Sequence, residues 1–117
     1  MTYNDTAIVA GAVYRIAFHG KGYELTGPHY GVVVSDGAFN DLSTVVVIPF
    51  SSGARRYSWR VPVMMRGTES VVVMIDQIRV VDKTLLREKI GILPEHALTA
   101  IRKELAEFLG LTGLPLF

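Results

Sequence analysis

The segment from Ser70 to Lys83 is β-branched almost throughout, yet Asp76, Gln77 and Arg79 interrupt it. A carboxylate, an amide and a guanidinium side by side offer an acceptor, a mixed donor-acceptor and a fork of donors. Burying such groups without partners costs roughly 1–3 kcal/mol each, and more if they are charged. They must therefore pair with one another and with neighbouring loops, or face a site. A second group stands in one loop, where Arg55, Arg56 and Arg60 bracket Tyr57 and Trp59. Phosphates want cations and unstacked bases want aromatic faces, so this loop suits single-stranded nucleic acid. The same residues also fit a hairpin with a polar tip and Trp59 folded back on the core. A third group lies around a glycine-rich connection from His19 to His29, which contains Glu24 and is flexible enough to close over a ligand.

These residues need elements to position them. Residues 12 to 18 alternate as a half-buried strand with Tyr14, Ile16 and Phe18 on one face. Val32 to Ser35 reads as a second strand, Asp36-Gly37 as a turn, and Thr44 to Ile48 as a third strand stopped by Pro49. Arg60 to Met65 follows, with Pro62 favouring a sheet edge. Ser70 to Val81 is the longest predicted strand; alternation puts Met74, Asp76 and Ile78 on one face and Ile75, Gln77 and Arg79 on the other. Glu88 to Leu93 is a shorter candidate. The period then changes: Leu98, Ile101, Leu105, Phe108 and Leu109 form the stripe of an amphipathic helix. Pro94 fits its first turn, Glu95 its positive end and Gly110 its stop, while His96 falls on the polar side. The expected class is mainly β with one C-terminal helix, a small, strongly twisted barrel of five to six strands.

Composition narrows the function classes. At 117 residues, residues 1–117 are expected to form one domain. Half the residues are apolar and the charged fraction is ordinary, so the chain is not of the disordered class. The absence of cysteine excludes disulfides, thiol catalysis and thiolate metal sites. His19, His29 and His96 lack the close spacing of a zinc motif. No apolar run approaches the roughly 20 residues of a membrane helix, and the first residues do not resemble a signal peptide, so a cytoplasmic protein without membrane attachment is expected. A net charge of +1 does not advertise nucleic acid in bulk, which leaves the local basic-aromatic loop to carry that signal.

Four segments in order resemble the MazF/PemK (Kid) family of toxin endoribonucleases. They are Gly22 to Gly27 with Glu24, Pro28 to Asn40 ending in Ala-Phe-Asn, Val45 to Gly53 with its Pro-Phe-Ser-Ser turn, and Asp76 to Lys83 with Asp-Gln. The likeness runs over about residues 11 to 111. It implies an SH3-like barrel and a metal-free, cofactor-free toxin of a type II toxin-antitoxin system that cuts single-stranded RNA. It further implies a homodimer and a cognate antitoxin with a disordered tail.

Carried over residue by residue, the family's phosphate-binding Thr becomes Ser51, which keeps a hydroxyl. Ser51 would equally serve as a turn serine bonding its own backbone. The family's Arg-Pro becomes His29-Tyr30, replacing a permanent forked cation by a side chain that titrates near neutrality. His29 then stands as cation or general acid, with Glu24 on the same loop available to pair with it. His19 is a possible second imidazole. Some family members carry an Arg two residues before the Asp, where this chain has Met74. The expected catalytic residues are thus His29, Ser51 and Glu24, with Arg55, Arg56, Trp59, Asp76 and Gln77 on the RNA. Two other outcomes fit the pattern: a catalytically degenerate binding module for RNA or antitoxin, and a gyrase-poisoning toxin acting through the helix and the tail from Leu111 to Phe117.

Overall fold

The computed structural model describes residues 8–54, 57, 59–65 and 69–111. Seven strands curl into a half-barrel: β1 (Ala12–Phe18), β2 (Gly27–Val33), β3 (Thr44–Ser51), β4 (Val61–Met65), β5 (Glu69–Val73), β6 (Arg79–Asp82) and β7 (Leu86–Ile92). One helix, α1 (Glu95–Phe108), follows them. The strand order is β4-β5-β3-β2-β1-β7, and β6 pairs with β3 off that path. All described pairings are antiparallel. Pro62 does lie in an edge strand, where its missing N–H is least costly.

Strict alternation sends side chains to two cores. Ala12, Tyr14, Ile16 and Phe18 of β1 join Val45, Val47, Val81 and Leu86. Val13 points the other way, into Val32, Ile48, Phe50, Val73 and Ile75, where Ala97 and Ile101 of α1 also pack. The helix therefore covers one face of the sheet with its buried stripe. Pro94 stands just ahead of α1 in an extended conformation instead of inside the first turn, and Gly110 ends the helix with φ +72°. Phe108 and Leu109, expected on the buried stripe, are about half exposed, and the helix buries only Ala97, Leu98 and Ile101.

The predicted long strand from Ser70 to Val81 is not continuous. Val47 pairs with Arg79 and Phe50 with Val73, so the five residues 74–78 span what two residues, 48 and 49, span on β3. The surplus is taken up as a 3-10 turn at Ile75–Gln77, closed by Gln77 N to Met74 O (2.8 Å) and Ile78 N to Ile75 O (3.2 Å). Its β-branched composition promised a strand; the count of residues opposite β3 decided otherwise. The face assignments for Asp76, Gln77 and Ile78 fall with it.

The same turn explains why Pro49 does not stop β3, which runs on to Ser51. The Pro49 carbonyl accepts from Met74 N at 2.9 Å. In a strand a residue's N–H and C=O point to one side, so the N–H that proline lacks would face the 3-10 turn, where the ladder is already interrupted. β2 begins earlier than expected, at Gly27, because β1 pairs with it down to Phe18↔Gly27.

Ile75 fixes the turn to the core, with no solvent exposure. Ile75→Ala is expected to lower the unfolding free energy by about 2–5 kcal/mol in urea titration. A loss under about 1 kcal/mol would mean that the turn is not held by burial.

Candidate functional site

The turn at 75–77 points one buried side chain inward and two polar ones outward, and each polar one holds a different loop. Asp76 receives Arg60 as a two-pronged pair, Nε to Oδ1 at 3.0 Å and Nη2 to Oδ2 at 2.8 Å. The side chains are only 10% and 23% exposed, so the pair is partly desolvated and worth more than a surface bridge. The hydrogen bonds to Asp76 hold the Arg60 pKa above its ordinary value, outweighing desolvation, with smaller charge attraction from Asp76 and Tyr57. Arg60 also lies over the Tyr57 and Trp59 rings, 4.8 and 5.2 Å from their centroids. Asp76 thus has an arginine after all, supplied by the β3–β4 loop and not by position 74.

Gln77 and Arg79 hold the β1–β2 loop. Gln77 Oε1 accepts from Leu25 N at 3.0 Å and from Arg79 Nη2 at 2.8 Å, and its Nε2 donates to Tyr23 O at 3.2 Å. Arg79 Nη1 donates to His19 O (2.9 Å) and Leu25 O (2.8 Å), and Nε donates to Gln77 O (3.3 Å). The guanidinium rests over Phe18 at 5.1 Å. Of the two roles open to Asp76, Gln77 and Arg79 in the sequence, pairing with one another and with loops is what the fold realises.

His29 sits on β2 opposite Ile16, its ring 6.3 Å from that of Phe18. Nε2 lies 3.0 Å from Thr26 O. A carbonyl only accepts, so Nε2 carries a hydrogen and Nδ1 is the nitrogen left for a ligand. Glu24 is exposed, and no hydrogen bond or ion pair joins it to His29 among the described residues. The expected Glu24–His29 pairing is replaced by the loop's own Thr26 carbonyl. His19 meets Arg79 through its backbone, and no contact joins its ring to His29.

Ser51 closes β3 opposite Val72, half-buried, with no hydrogen-bond partner among the described residues. It is not satisfied by its own turn. The β2–β3 register runs through Gly31↔Pro49, Val32↔Ile48 and Val33↔Val47. The pairing stops at Gly31↔Pro49, so His29 and Ser51 each stand two residues beyond its end, His29 against Ile16 of β1 and Ser51 against Val72 of β5. Trp59 is half-buried, stacked on Tyr57 (4.7 Å, 6° between planes) and 6.3 Å from Phe108 of α1. It stands against the exposed end of the helix and in neither hydrophobic core. Arg55 and Arg56 lie outside the described residues.

Sequence reasoning missed Arg60 as the partner of Asp76 and Arg79 as the clamp of the β1–β2 loop. The signal for both was an unmatched charge within a β-branched run, but the partner's identity required the 3-10 turn.

A family model described as PemK-like, MazF-like toxin of type II toxin-antitoxin system matches residues 10–109. The chain belongs to this toxin family. Among solved structures, MazF from Deinococcus radiodurans is 28% identical with a TM-score of 0.78, over 87% of this chain and 96% of that one. An endoribonuclease in complex with its cognate antitoxin, from a mycobacterial species, is 25% identical with a TM-score of 0.73, over 93% and 100%. Mycobacterium tuberculosis toxin MazF-mt6, at 17% identity and a TM-score of 0.70 over 87% and 99%, shares the fold. A comparison with curated proteins gave no match.

The sole tryptophan, Trp59, reports on the Arg60–Asp76 hold. Asp76→Ala in this MazF-like toxin should cost about 1–3 kcal/mol, since it takes two charge-assisted hydrogen bonds from a partly buried guanidinium. It should also shift Trp59 emission to the red as the stack loosens. An unchanged spectrum would separate the loop from the turn.

Proposed function

We propose that this toxin is a metal-independent endoribonuclease that cuts single-stranded RNA by attack of a ribose 2′-hydroxyl on the adjacent phosphorus. The observation that carries the reading is that His29, with Nδ1 available, and Ser51, with its hydroxyl unpartnered, each stand two residues beyond the end of the β2–β3 pairing at Gly31↔Pro49. The 2′-oxygen forms a bond to phosphorus as the bond to the 5′-oxygen breaks. The products are a cyclic 2′,3′-phosphate and a free 5′-hydroxyl. A protonated His29 bonds Thr26 O through Nε2 and delivers its Nδ1 proton to the leaving oxygen. Ser51 donates to a non-bridging oxygen, whose charge grows as the phosphorane forms. Glu24, exposed on the adjoining loop, takes the proton of the 2′-hydroxyl.

Arg55, Arg56 and Trp59 supply contacts along the strand, and Asp76 and Gln77 contribute by shaping the two loops from behind. The antitoxin-bound neighbour supports a cognate antitoxin as the protein partner of this chain, its disordered tail competing for the RNA surface. The reading places the toxin in the cytoplasm, where messenger RNA is found; no helix among the described residues is long and apolar enough to cross a membrane.

A second reading, an RNA- or antitoxin-binding module without catalysis, is favoured by one departure: His29 stands where the family has an arginine. Incubation with a mixed RNA pool in EDTA decides between them. Fragments with 5′-hydroxyl ends mark the enzyme, and intact but bound RNA marks the module. For the enzyme, His29→Ala should lower the cleavage rate about 10²–10⁴-fold with an unchanged melting temperature. His29→Arg, which keeps a cation at this position, should recover part of the rate that His29→Ala loses. Wild-type rates in His29→Ala would return the acid role to another group.

The homodimer expectation has a surface to support it. Val80 of β6, with Phe39 and Leu42 in the β2–β3 connection, leaves large apolar side chains 56–62% exposed. Sedimentation should find a dimer at micromolar concentration; a monomer there would overturn the homodimer.

A further inference from the structure

The β1–β2 loop is built with more care than a passive connection needs. Gly20 lies so close beneath the returning chain that a Cβ there would stand 2.6 Å from the Glu24 Cβ and 3.2 Å from Leu25 O. Gly22 adopts φ +59°, and Glu24 N closes the turn onto Lys21 O at 3.0 Å. The amide of Gln77 then grips the main chain on both sides of Glu24, at Tyr23 O and Leu25 N. Arg79 ties the two ends of the loop together at His19 O and Leu25 O.

On this fixed frame Tyr23 is fully exposed, the most exposed of the large hydrophobic side chains among the described residues. Its carbonyl is held while its ring meets only solvent, so both faces of the aromatic plane are open. Nothing in the loop folds over the ring to form a pocket of the kind an aliphatic peptide side chain would enter. A flat, sequence-tolerant partner fits such a surface, and a nucleobase is one. Lys21, exposed two residues before it, supplies a cation on the same loop for a phosphate.

We propose that Tyr23 is a base-stacking residue of the RNA site, holding one nucleotide of the substrate strand through its ring while the Gln77–Arg79 clamp keeps the ring in place. The proposal rests on the ribonuclease reading above and adds to it a contact outside His29, Ser51 and Glu24. It makes Gln77 and Arg79 positioning residues that act through the loop.

The test begins by mapping where the wild type cuts a mixed RNA pool. An uncleavable 2′-O-methyl oligonucleotide of that sequence is then prepared intact and with single abasic positions, and its affinity is measured for wild type, Tyr23→Ala and Tyr23→Phe. Tyr23→Ala should bind the intact strand about 5- to 150-fold more weakly, as loss of one stacked base predicts, with an unchanged melting temperature. Tyr23→Phe should stay close to wild type. One abasic position should weaken binding to wild type but not to Tyr23→Ala, a coupling that a merely structural role would not produce. Equal losses for both proteins at every abasic position, or a Tyr23→Phe as weak as Tyr23→Ala, would overturn the stacking role while leaving cleavage intact. A wild type that neither cuts nor binds RNA would instead overturn the ribonuclease reading, and this inference with it.

Discussion

Five residues must be accommodated opposite two, and most of what is distinctive about this molecule follows from that mismatch on β3. A chain that kept to the ladder would have alternated Asp76 and Gln77 across the sheet, one of them toward a core. Looping out as a 3-10 turn sends Ile75 inward, fully buried, and turns both polar neighbours toward loops that need holding. The cost of the broken ladder is offset by hydrogen bonds that the polar side chains make to groups otherwise short of partners. Among the described residues, no buried side-chain nitrogen or oxygen is left without a partner.

Two loops are thereby fastened to one short piece of backbone. Arg60 brings the β3–β4 loop to Asp76, and Leu25 and Tyr23 bring the β1–β2 loop to Gln77. The residues proposed for chemistry lie beside them: His29 just past one loop and Ser51 just before the other. An active site of this kind gains its precision from supports that never touch the substrate.

The sequence made the class of fold readable because its periods were clean. Tyr14, Ile16 and Phe18 fall on one face of residues 12 to 18, and the helix stripe at Leu98, Ile101 and Leu105 changes the period unmistakably. The break at 75–77 was unreadable in composition, since Val-Val-Val-Met-Ile scores as strand whether or not it has a continuous neighbour; only the residue count against β3 reveals it. The chemistry-bearing residues were legible by type, and the unmatched charges at 76 and 79 announced that partners were needed. Which partners they would find was not legible, because Arg60 and the carbonyls of His19 and Leu25 lie 16 to 60 residues away in the chain. The Thr26 carbonyl at His29 was equally hidden, being a property of main-chain direction and not of side-chain type.

The clamp on the β1–β2 loop takes hold of backbone alone: Gln77 and Arg79 bind three carbonyls, of His19, Tyr23 and Leu25, and one amide, of Leu25. Every amino acid carries those groups, proline at 25 excepted. Loop shape is therefore largely uncoupled from loop side chains, apart from Gly20, where a Cβ has no room, and Gly22, whose φ is positive. Positions 21, 23 and 26 are left as interchangeable fittings on a fixed mount. A lineage of such toxins can vary those three residues, and with them the surface the loop presents, without having to refold the loop each time.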